Sequence, residues 1–222
     1  AGKRASHEGN IPVFGGIAIF SGIIFSLLFW AELENIQFIL VSFLIVFFVG
    51  VIDDLLTLSP IKKLIGQIIS ILIIIYLGDL QIDTMHGVLG VHKLSPLISP
   101  FFTIFVVIVI TNGFNLIDGV DGLAGGIGVI ASFTFGIIAL LMKQGDMAII
   151  AFALMGALVG FLKYNFHPAR IFMGDTGSLV VGMILSVLAI NIIRNGLVIT
   201  ETTLHFPNKG PLLAIVILAI PL

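Results

Sequence analysis

The sequence has 222 residues, of which 59% are hydrophobic and only 10% carry a charged side chain, and its formal net charge is -2. A mean hydropathy of +1.23 separates it from soluble domains, in which about 25% of residues are charged. The composition therefore indicates a helical membrane protein. The near-neutral charge predicts no nucleic-acid partner, and the absence of cysteine excludes disulfide and thiolate chemistry.

Apolar windows recur along the whole chain, and a run of about 17 to 25 apolar residues crosses a bilayer as a helix. In chain order the predicted spans lie near residues 12–31, 36–52, 62–78, 99–117, 122–142, 147–163, 178–194 and from 211 onward. The expected fold is an all-α, polytopic transmembrane bundle of about eight spans, forming one integral membrane domain over residues 1–222. The polar start and the apolar stretch at the end lead us to expect a fragment truncated at both ends.

The loops after the second, fourth and sixth spans must lie on one face of the membrane, because each span moves the chain to the opposite side. Those loops carry Asp53 and Asp54, then Asp118 and Asp121, and then His167, Arg170 and Asp175. Six of the ten Lys and Arg residues share that face. Among them are Lys3 and Arg4, close to His7 in sequence, and Lys63, which follows the first acidic loop. The positive-inside rule makes this the cytoplasmic face of the plasma (cell inner) membrane.

The acidic loops predict a metal-dependent site that binds an anionic ligand. A glycine follows both Asp118 and Asp121, and Asp175 lies between two glycines. Converging carboxylates repel one another unless a cation lies among them, and oxygen ligands favour Mg²⁺, with Mn²⁺ as the alternative. Because Mg²⁺ is usually held by one or two protein oxygens together with substrate phosphates, a metal-bound phosphate is expected.

Simpler interpretations exist for each motif. Asp53 and Asp54 could merely end a helix in water, the loop at Asp118 could be a glycine-rich turn, and Thr176 or Ser178 could cap the next helix. Lys63 lies four residues before Gln67, which places it where it could reach a phosphate, although interface lysines also snorkel. His167 and Arg170 are candidate substrate-binding residues with interface anchoring as the alternative. The tandem glycines at 15 and 16 are typical of close helix or ligand approach.

Three acidic motifs together carry a resemblance to a known family. The stretches are "VIDDLLTLSPIKKLIGQ", "TNGFNLIDGVDGLAGG" and "NFHPARIFMGDTGSL", preceded by "KRASHEGNIPVFGG". With them the chain resembles the polyprenyl-phosphate N-acetylhexosamine-1-phosphate transferases, glycosyltransferase family 4. The resemblance implies an enzyme that moves a sugar-1-phosphate from a UDP-N-acetylhexosamine to undecaprenyl phosphate in the cytoplasmic leaflet and releases UMP.

Residue roles also follow from the resemblance. Asn115 and Asp175 resemble the family's metal ligands, and Lys63 resembles the lysine that holds the pyrophosphate. Phe172 and Asp121 resemble residues that contact uracil and its nucleoside. The remaining acidic positions of the catalytic set are filled by Asp53, Asp54 and Asp118.

Within the family, "GFNLIDGVDG" and "NFHPARIFMGDTGS" look closer to the N-acetylglucosamine-1-phosphate transferases that begin teichoic-acid, O-antigen and related glycan synthesis. Muramoyl-pentapeptide transferases typically carry a lysine three residues after the Asp pair, where this chain has Thr57, so peptidoglycan's first lipid step ranks second. Outside the enzyme class, the alternatives are a cation transporter, whose acids belong near the bilayer centre, and a structural scaffold. A homodimer is a further expectation.

Overall fold

The computed structural model describes residues 12–195, 197–198, 205–206 and 211. Within these residues it contains seven α-helices and one antiparallel pair of two-residue strands. The helices are α1 Gly15–Trp30, α2 Leu33–Leu56, α3 Pro60–Tyr76, α4 Ile98–Ile117, α5 Leu123–Leu141, α6 Gly145–Asn165 and α7 Gly174–Asn195, and the strands are β1 Leu197–Val198 and β2 His205–Phe206. Lys3, Arg4 and His7 lie outside the described residues, as does the eighth predicted span beyond its first position.

The all-α, multi-pass prediction is confirmed over this part of the chain, and each of the first seven predicted spans corresponds to one helix. Among the described residues, five helices are long and apolar enough to cross a membrane: α2, α4, α5, α6 and α7. The other two, α1 and α3, have 16 and 17 residues. The expected number of about eight spans is therefore approximate.

Helix α7 is the centre of the bundle. Every residue from 176 to 193 is buried, and the helix contacts α1, α2, α4, α5 and α6. A helix that is apolar on all sides is expected in such a position, because it has no face to present to water.

Glycines allow α7 to approach its neighbours closely. A Cβ atom at Gly16 would collide with the backbone of Gly177, and one at Gly50 would collide with the backbone of Thr176. At Gly182, within α7, a Cβ would lie 2.7 Å from Cα of Thr111. Small residues at helix crossings bring backbones into van der Waals contact, which is the main attraction between helices in lipid. The expected role of the tandem glycines agrees with this packing.

The two ends of the bundle carry different polar groups. At one end, Asp146 accepts hydrogen bonds from the Glu32 backbone N–H at 3.2 Å and from Nδ2 of Asn35 at 2.9 Å. At the other end lie the last turns of α2 and α4 and the first turns of α3 and α7. This second end holds the acidic residues singled out in the sequence.

Candidate active site

Asp54 joins the end of α2 to the start of α7. Its Oδ1 accepts the backbone N–H of Asp175 at 2.8 Å, and its Oδ2 accepts the backbone N–H of Thr176 at 3.0 Å and the Thr176 hydroxyl at 2.5 Å. The first backbone N–H groups of a helix have no partner inside the helix, so a carboxylate there both satisfies them and meets the positive end of the helix dipole. Asp54 thus caps α7 from another helix.

Gly174 makes this close approach possible. It begins α7 at φ +72, in the left-handed region, and a Cβ there would lie within 2.8 Å of the Asp54 carboxylate. Glycine adopts that conformation at little cost and leaves space for the carboxylate. The capping geometry therefore depends on both residues.

Lys63 lies between two carboxylates. Its Nζ is 2.5 Å from Oδ2 of Asp53 and 3.2 Å from Oδ2 of Asp175. Asp53 is only 6% exposed, and its Oδ1 also accepts the Leu58 backbone N–H at 2.6 Å. A buried carboxylate needs such partners, because desolvation of an unpaired charge costs several kcal/mol. The first turn of α3 and the last turn of α2 are thereby tied to α7.

Asn115 connects α4 to the same group. Its Nδ2 donates to Oδ1 of Asp175 and, at 2.7 Å, to Oγ of Ser178. Because the amide nitrogen is committed to these acceptors, the carbonyl oxygen of Asn115 is the atom it can offer to a cation. Asn115 and Asp175, the predicted metal ligands, are direct neighbours.

Asp118 directly follows α4, and the neighbouring acids affect its pKa. Burial is the main cause that raises its pKa from 3.8 to about 7; the charges of Asp175 and Asp54 act in the same direction, and a hydrogen bond from the Gly174 backbone opposes the shift. A carboxyl group with this pKa carries a proton about half of the time at neutral pH. The surroundings of Asp118 therefore disfavour its negative charge.

Asp53, Asp54, Asp118 and Asp175 form what we call the acidic cluster. A second set of contacts holds the loops beside it. Oδ2 of Asp121 lies 3.0 Å from Nδ1 of His167 and accepts the Ala169 backbone N–H at 3.1 Å. Asn165, which is 3% exposed, accepts the Gly122 N–H at 2.9 Å and donates to the Ile171 carbonyl at 2.9 Å. The α4–α5 and α6–α7 connections are thus held together.

The remaining candidate residues lie on the α6–α7 connection. The Phe172 carbonyl accepts the Gly15 backbone N–H at 3.0 Å, and the Phe172 N–H donates to the Pro12 carbonyl at 3.1 Å, so this residue is fixed against the start of α1. Arg170 and His167 are exposed. Both lie at the same end of the bundle as the acidic residues, and their contact with substrate stays a prediction.

A cavity opens onto the cluster. Its volume is about 540 Å³, and it is lined by Asp53, Thr57, Leu58, Pro60, Lys63, Leu64, Gln67, Asn112 and Asp175. We call it the carboxylate cavity. Asp53, Lys63 and Asp175 provide charged lining, and Leu58, Pro60 and Leu64 provide apolar lining. The lining is thus partly charged and partly apolar, as is common in ligand-binding cavities.

The donor set fits a divalent cation whose shell a ligand completes. Within the described residues, no three His, Asp or Glu side chains form a preformed metal cage. Mg²⁺ seldom uses such a cage and instead combines one or two carboxylates with waters and substrate phosphates. Asp175 and the Asn115 oxygen, with Asp118 nearby, match that pattern.

Sequence reasoning placed Gln67 on the Lys63 side of α3 but did not foresee its partner. Asn112 on α4 donates to Oε1 of Gln67 at 3.3 Å and to the Ile108 carbonyl at 2.9 Å. Asn165 was not singled out, although an asparagine directly before the "FHPAR" motif was visible. Both contacts are tertiary and have no local sequence signal.

Comparison with known proteins identifies the family. Residues 36–193 match the family described as Glycosyl transferase family 4, which is more than half of the chain. The chain belongs to glycosyl transferase family 4. The matched region contains Asp53, Asp54, Asp118 and Asp175, and it runs from residue 36 in α2 to residue 193 in α7.

Three similar proteins carry the same name. The phospho-N-acetylmuramoyl-pentapeptide-transferase of Rubrobacter xylanophilus is 48% identical over 134 residues, covering 60% of this chain and 37% of the relative. That of Moorella thermoacetica is 45% identical over 111 residues, covering 50% and 32%. That of Desulforudis audaxviator is 52% identical over 88 residues, covering 40% and 26%. The matched segments therefore span about a third of these relatives' length.

Proposed function

We propose that the protein containing this chain transfers phospho-N-acetylmuramoyl-pentapeptide from its UDP donor to a polyprenyl phosphate and releases UMP. The observation that carries the proposal is the Lys63 ammonium held between Asp53 and Asp175 in a chain whose similar relatives bear that enzyme's name. The relatives support this donor over N-acetylglucosamine, which the motif comparison placed first. The site is proposed to face the cytoplasm.

Thr57 favours the second candidate, an N-acetylglucosamine-1-phosphate transferase. It ends α2 in the left-handed region at φ 47 and lines the carboxylate cavity, at the position where muramoyl-pentapeptide transferases typically carry lysine. Incubation of membranes containing the intact protein with undecaprenyl phosphate, Mg²⁺ and each UDP donor decides between them. Turnover of the muramoyl-pentapeptide donor alone supports the proposal, and turnover of UDP-N-acetylglucosamine alone overturns it in favour of the second candidate.

The chemistry begins with two anions that repel each other. In the proposed single displacement, an oxygen of the lipid phosphate forms a bond to the sugar-linked phosphorus, and the bond from that phosphorus to the bridging oxygen of UMP breaks. UMP leaves with the electron pair. A phosphate monoester has a second pKa of about 6, so much of the acceptor is already a dianion near neutral pH.

The chain's own residues would manage the charge. Lys63 exchanges part of its contact with Asp53 and Asp175 for the diphosphate, which stabilises the negative charge that develops on the leaving oxygen. Asp175 and Asn115 would hold Mg²⁺, which supplies Lewis-acid neutralisation of the diphosphate when bound. Asp54 holds the α7 N-terminus, and with it Asp175, in place. Asp54 is thus proposed as a positioning residue, and proton exchange is left to Asp53 or Asp118.

A covalent aspartyl intermediate is the competing mechanism. It requires one carboxylate to attack the donor before the lipid arrives, so UMP would appear in a burst without acceptor. Rapid-quench measurement of UMP in the absence of lipid phosphate tests this. No burst is expected for single displacement, and a burst equal to the enzyme concentration would contradict it.

A further inference from the structure

Gln67 is a buried amide with unused hydrogen-bonding capacity. It is 1% exposed, it lines the carboxylate cavity, and its Nε2 has no hydrogen-bond partner. A buried amide N–H₂ without an acceptor costs about 1 to 3 kcal/mol, so a native site that contains one usually supplies its partner from a ligand or a water.

The orientation of the amide is fixed by its neighbours. Nδ2 of Asn112 donates to the Ile108 backbone carbonyl at 2.9 Å, and because a carbonyl can only accept, this contact fixes the orientation of the Asn112 amide. That nitrogen also faces Oε1 of Gln67 at 3.3 Å. Rotating the Gln67 amide by half a turn would place its Nε2 against Nδ2 of Asn112, so that two hydrogen-bond donors would face each other. Gln67 therefore offers N–H groups, not an oxygen, as its free atoms.

Gln67 and Lys63 together form a donor pair. They lie four residues apart on α3, which places them on the same side of the helix about 6 Å apart along its axis. Lys63 belongs to the first turn of α3, and Gln67 is one turn further from that end. Its partner Asn112 is likewise nearly one turn further from the end of α4 than Asn115. The Gln67 amide is thus the inner of the two donors that α3 presents to the cavity.

The position of Gln67 along α3 suits one of the two substrates better than the other. A UDP-linked sugar is water-soluble and reaches the site from the helix ends, where Asp121 and the α6–α7 connection lie. A prenyl phosphate is tethered to the bilayer and brings an apolar chain, for which Leu64 supplies apolar lining within one turn of Gln67 on α3. An inner donor therefore suits the phosphate of the bilayer-tethered acceptor better than the water-soluble sugar donor.

We propose that the free amide N–H groups of Gln67, oriented by Asn112, bind a phosphate oxygen of the prenyl-phosphate acceptor in the inner part of the carboxylate cavity. Gln67 would hold that phosphate beside Lys63 while another of its oxygens attacks the donor. The identity of the acceptor rests on the proposed function, whereas the anion-binding role of Gln67 does not.

Binding of farnesyl phosphate to the full-length protein in detergent micelles tests the proposal without turnover. Farnesol and inorganic phosphate serve as separate probes for the chain and the head group. Gln67→Met keeps the length of the side chain but removes both N–H groups. Loss of a hydrogen bond to a charged phosphate predicts a Kd for farnesyl phosphate about tenfold higher, with farnesol binding unchanged.

Gln67→Glu is the second variant. It keeps an oxygen for Asn112 and replaces the free N–H₂ with an acceptor, so it tests the same atoms if the methionine variant fails to fold. At pH 8 we expect a weakening of at least about tenfold. Thr111→Val is the matched control, because it removes another buried, unpaired polar atom next to Asn112 in sequence. Its Kd should stay within about twofold of the wild type.

Turnover separates this inference from the proposed function. In a protein that turns over substrate, Gln67→Met should raise the KM for undecaprenyl phosphate about tenfold and leave the donor KM unchanged. A folded Gln67→Met protein with wild-type affinity for farnesyl phosphate would overturn the inference, as would a change confined to the donor KM. Absence of turnover with either UDP donor would instead contradict the proposed function and leave the farnesyl phosphate result to decide on Gln67.

Discussion

Replacement of Asp54 by asparagine tests whether this carboxylate positions α7 or takes part in chemistry. Asparagine has one acceptor oxygen, whereas Asp54 satisfies three donors of Asp175 and Thr176. If the oxygen stays with Thr176, the amide nitrogen opposes the Asp175 N–H. The loss of that charged hydrogen bond costs about 1.5 to 3 kcal/mol, and the loss of charge at the helix N-terminus about 0.3 to 1 kcal/mol more. We expect Asp54→Asn to lower the free energy of unfolding by about 2 to 4 kcal/mol.

The assay is denaturant titration in detergent micelles, with turnover measured on the same preparations. Thr176→Val is the matched partner, because it removes one donor to Asp54 without changing the acidic cluster. Two residues in direct contact should show a coupling of at least about 0.5 kcal/mol in the double-mutant cycle. An Asp54→Asn protein with wild-type stability and no turnover would refute the positioning role. Additive effects of the two substitutions would refute it as well.

Three further predictions concern the same cluster. Lys63→Met leaves the buried Asp53 carboxylate without its ion-pair partner, so we expect stability to fall by about 3 kcal/mol and turnover to be lost. Thermal unfolding measures the stability, and an unchanged midpoint would contradict the ion pairing. The pKa of Asp118 is raised to about 7, so its ionisation opposes folding as pH rises from about 4 to 7. Asp118→Asn should therefore raise the thermal midpoint of the metal-free protein at pH 8 but not at pH 4, and a difference independent of pH would show this reasoning to be wrong. Gly50→Ala should cost about 1 to 3 kcal/mol by collision with α7, whereas Gly156→Ala, with no atom near its Cβ position, should change stability by less than about 1 kcal/mol. Equal effects in denaturant titration would argue against the close crossing.

The sequence predicted the helices well because spanning segments are long and apolar, but it placed two ends a turn too early or too late. The span predicted to end at residue 52 continues to Leu56, and the span predicted from 178 begins at Gly174. Both errors have one cause. Asp53, Asp54 and Asp175 resemble loop residues by composition, yet they belong to helix ends that are held by partners distant in sequence.

The acidic residues could be gathered on one face from the alternation of spans alone, and the structure does bring Asp53, Asp54, Asp118 and Asp175 together. Their individual contacts could not be predicted. Asp53 and Asp54 are adjacent on a helix, so their side chains point about 100° apart. One therefore meets Lys63 on α3 and the other meets α7, and this division depends on the packing of three helices. The Gln67–Asn112 contact depends in the same way on where α4 lies.

The most direct test of the central claim is UMP release by the intact protein with the muramoyl-pentapeptide donor, undecaprenyl phosphate and Mg²⁺, compared between Asp175→Asn and Asp146→Asn. Asp146 is an acid at the opposite end of the bundle with hydrogen-bond partners of its own. If the cluster around Lys63 carries the reaction, Asp175→Asn should reduce the rate at least about hundredfold, and Asp146→Asn should leave it near the wild-type value. Near-wild-type UMP release by a folded Asp175→Asn protein would contradict the assignment of this site.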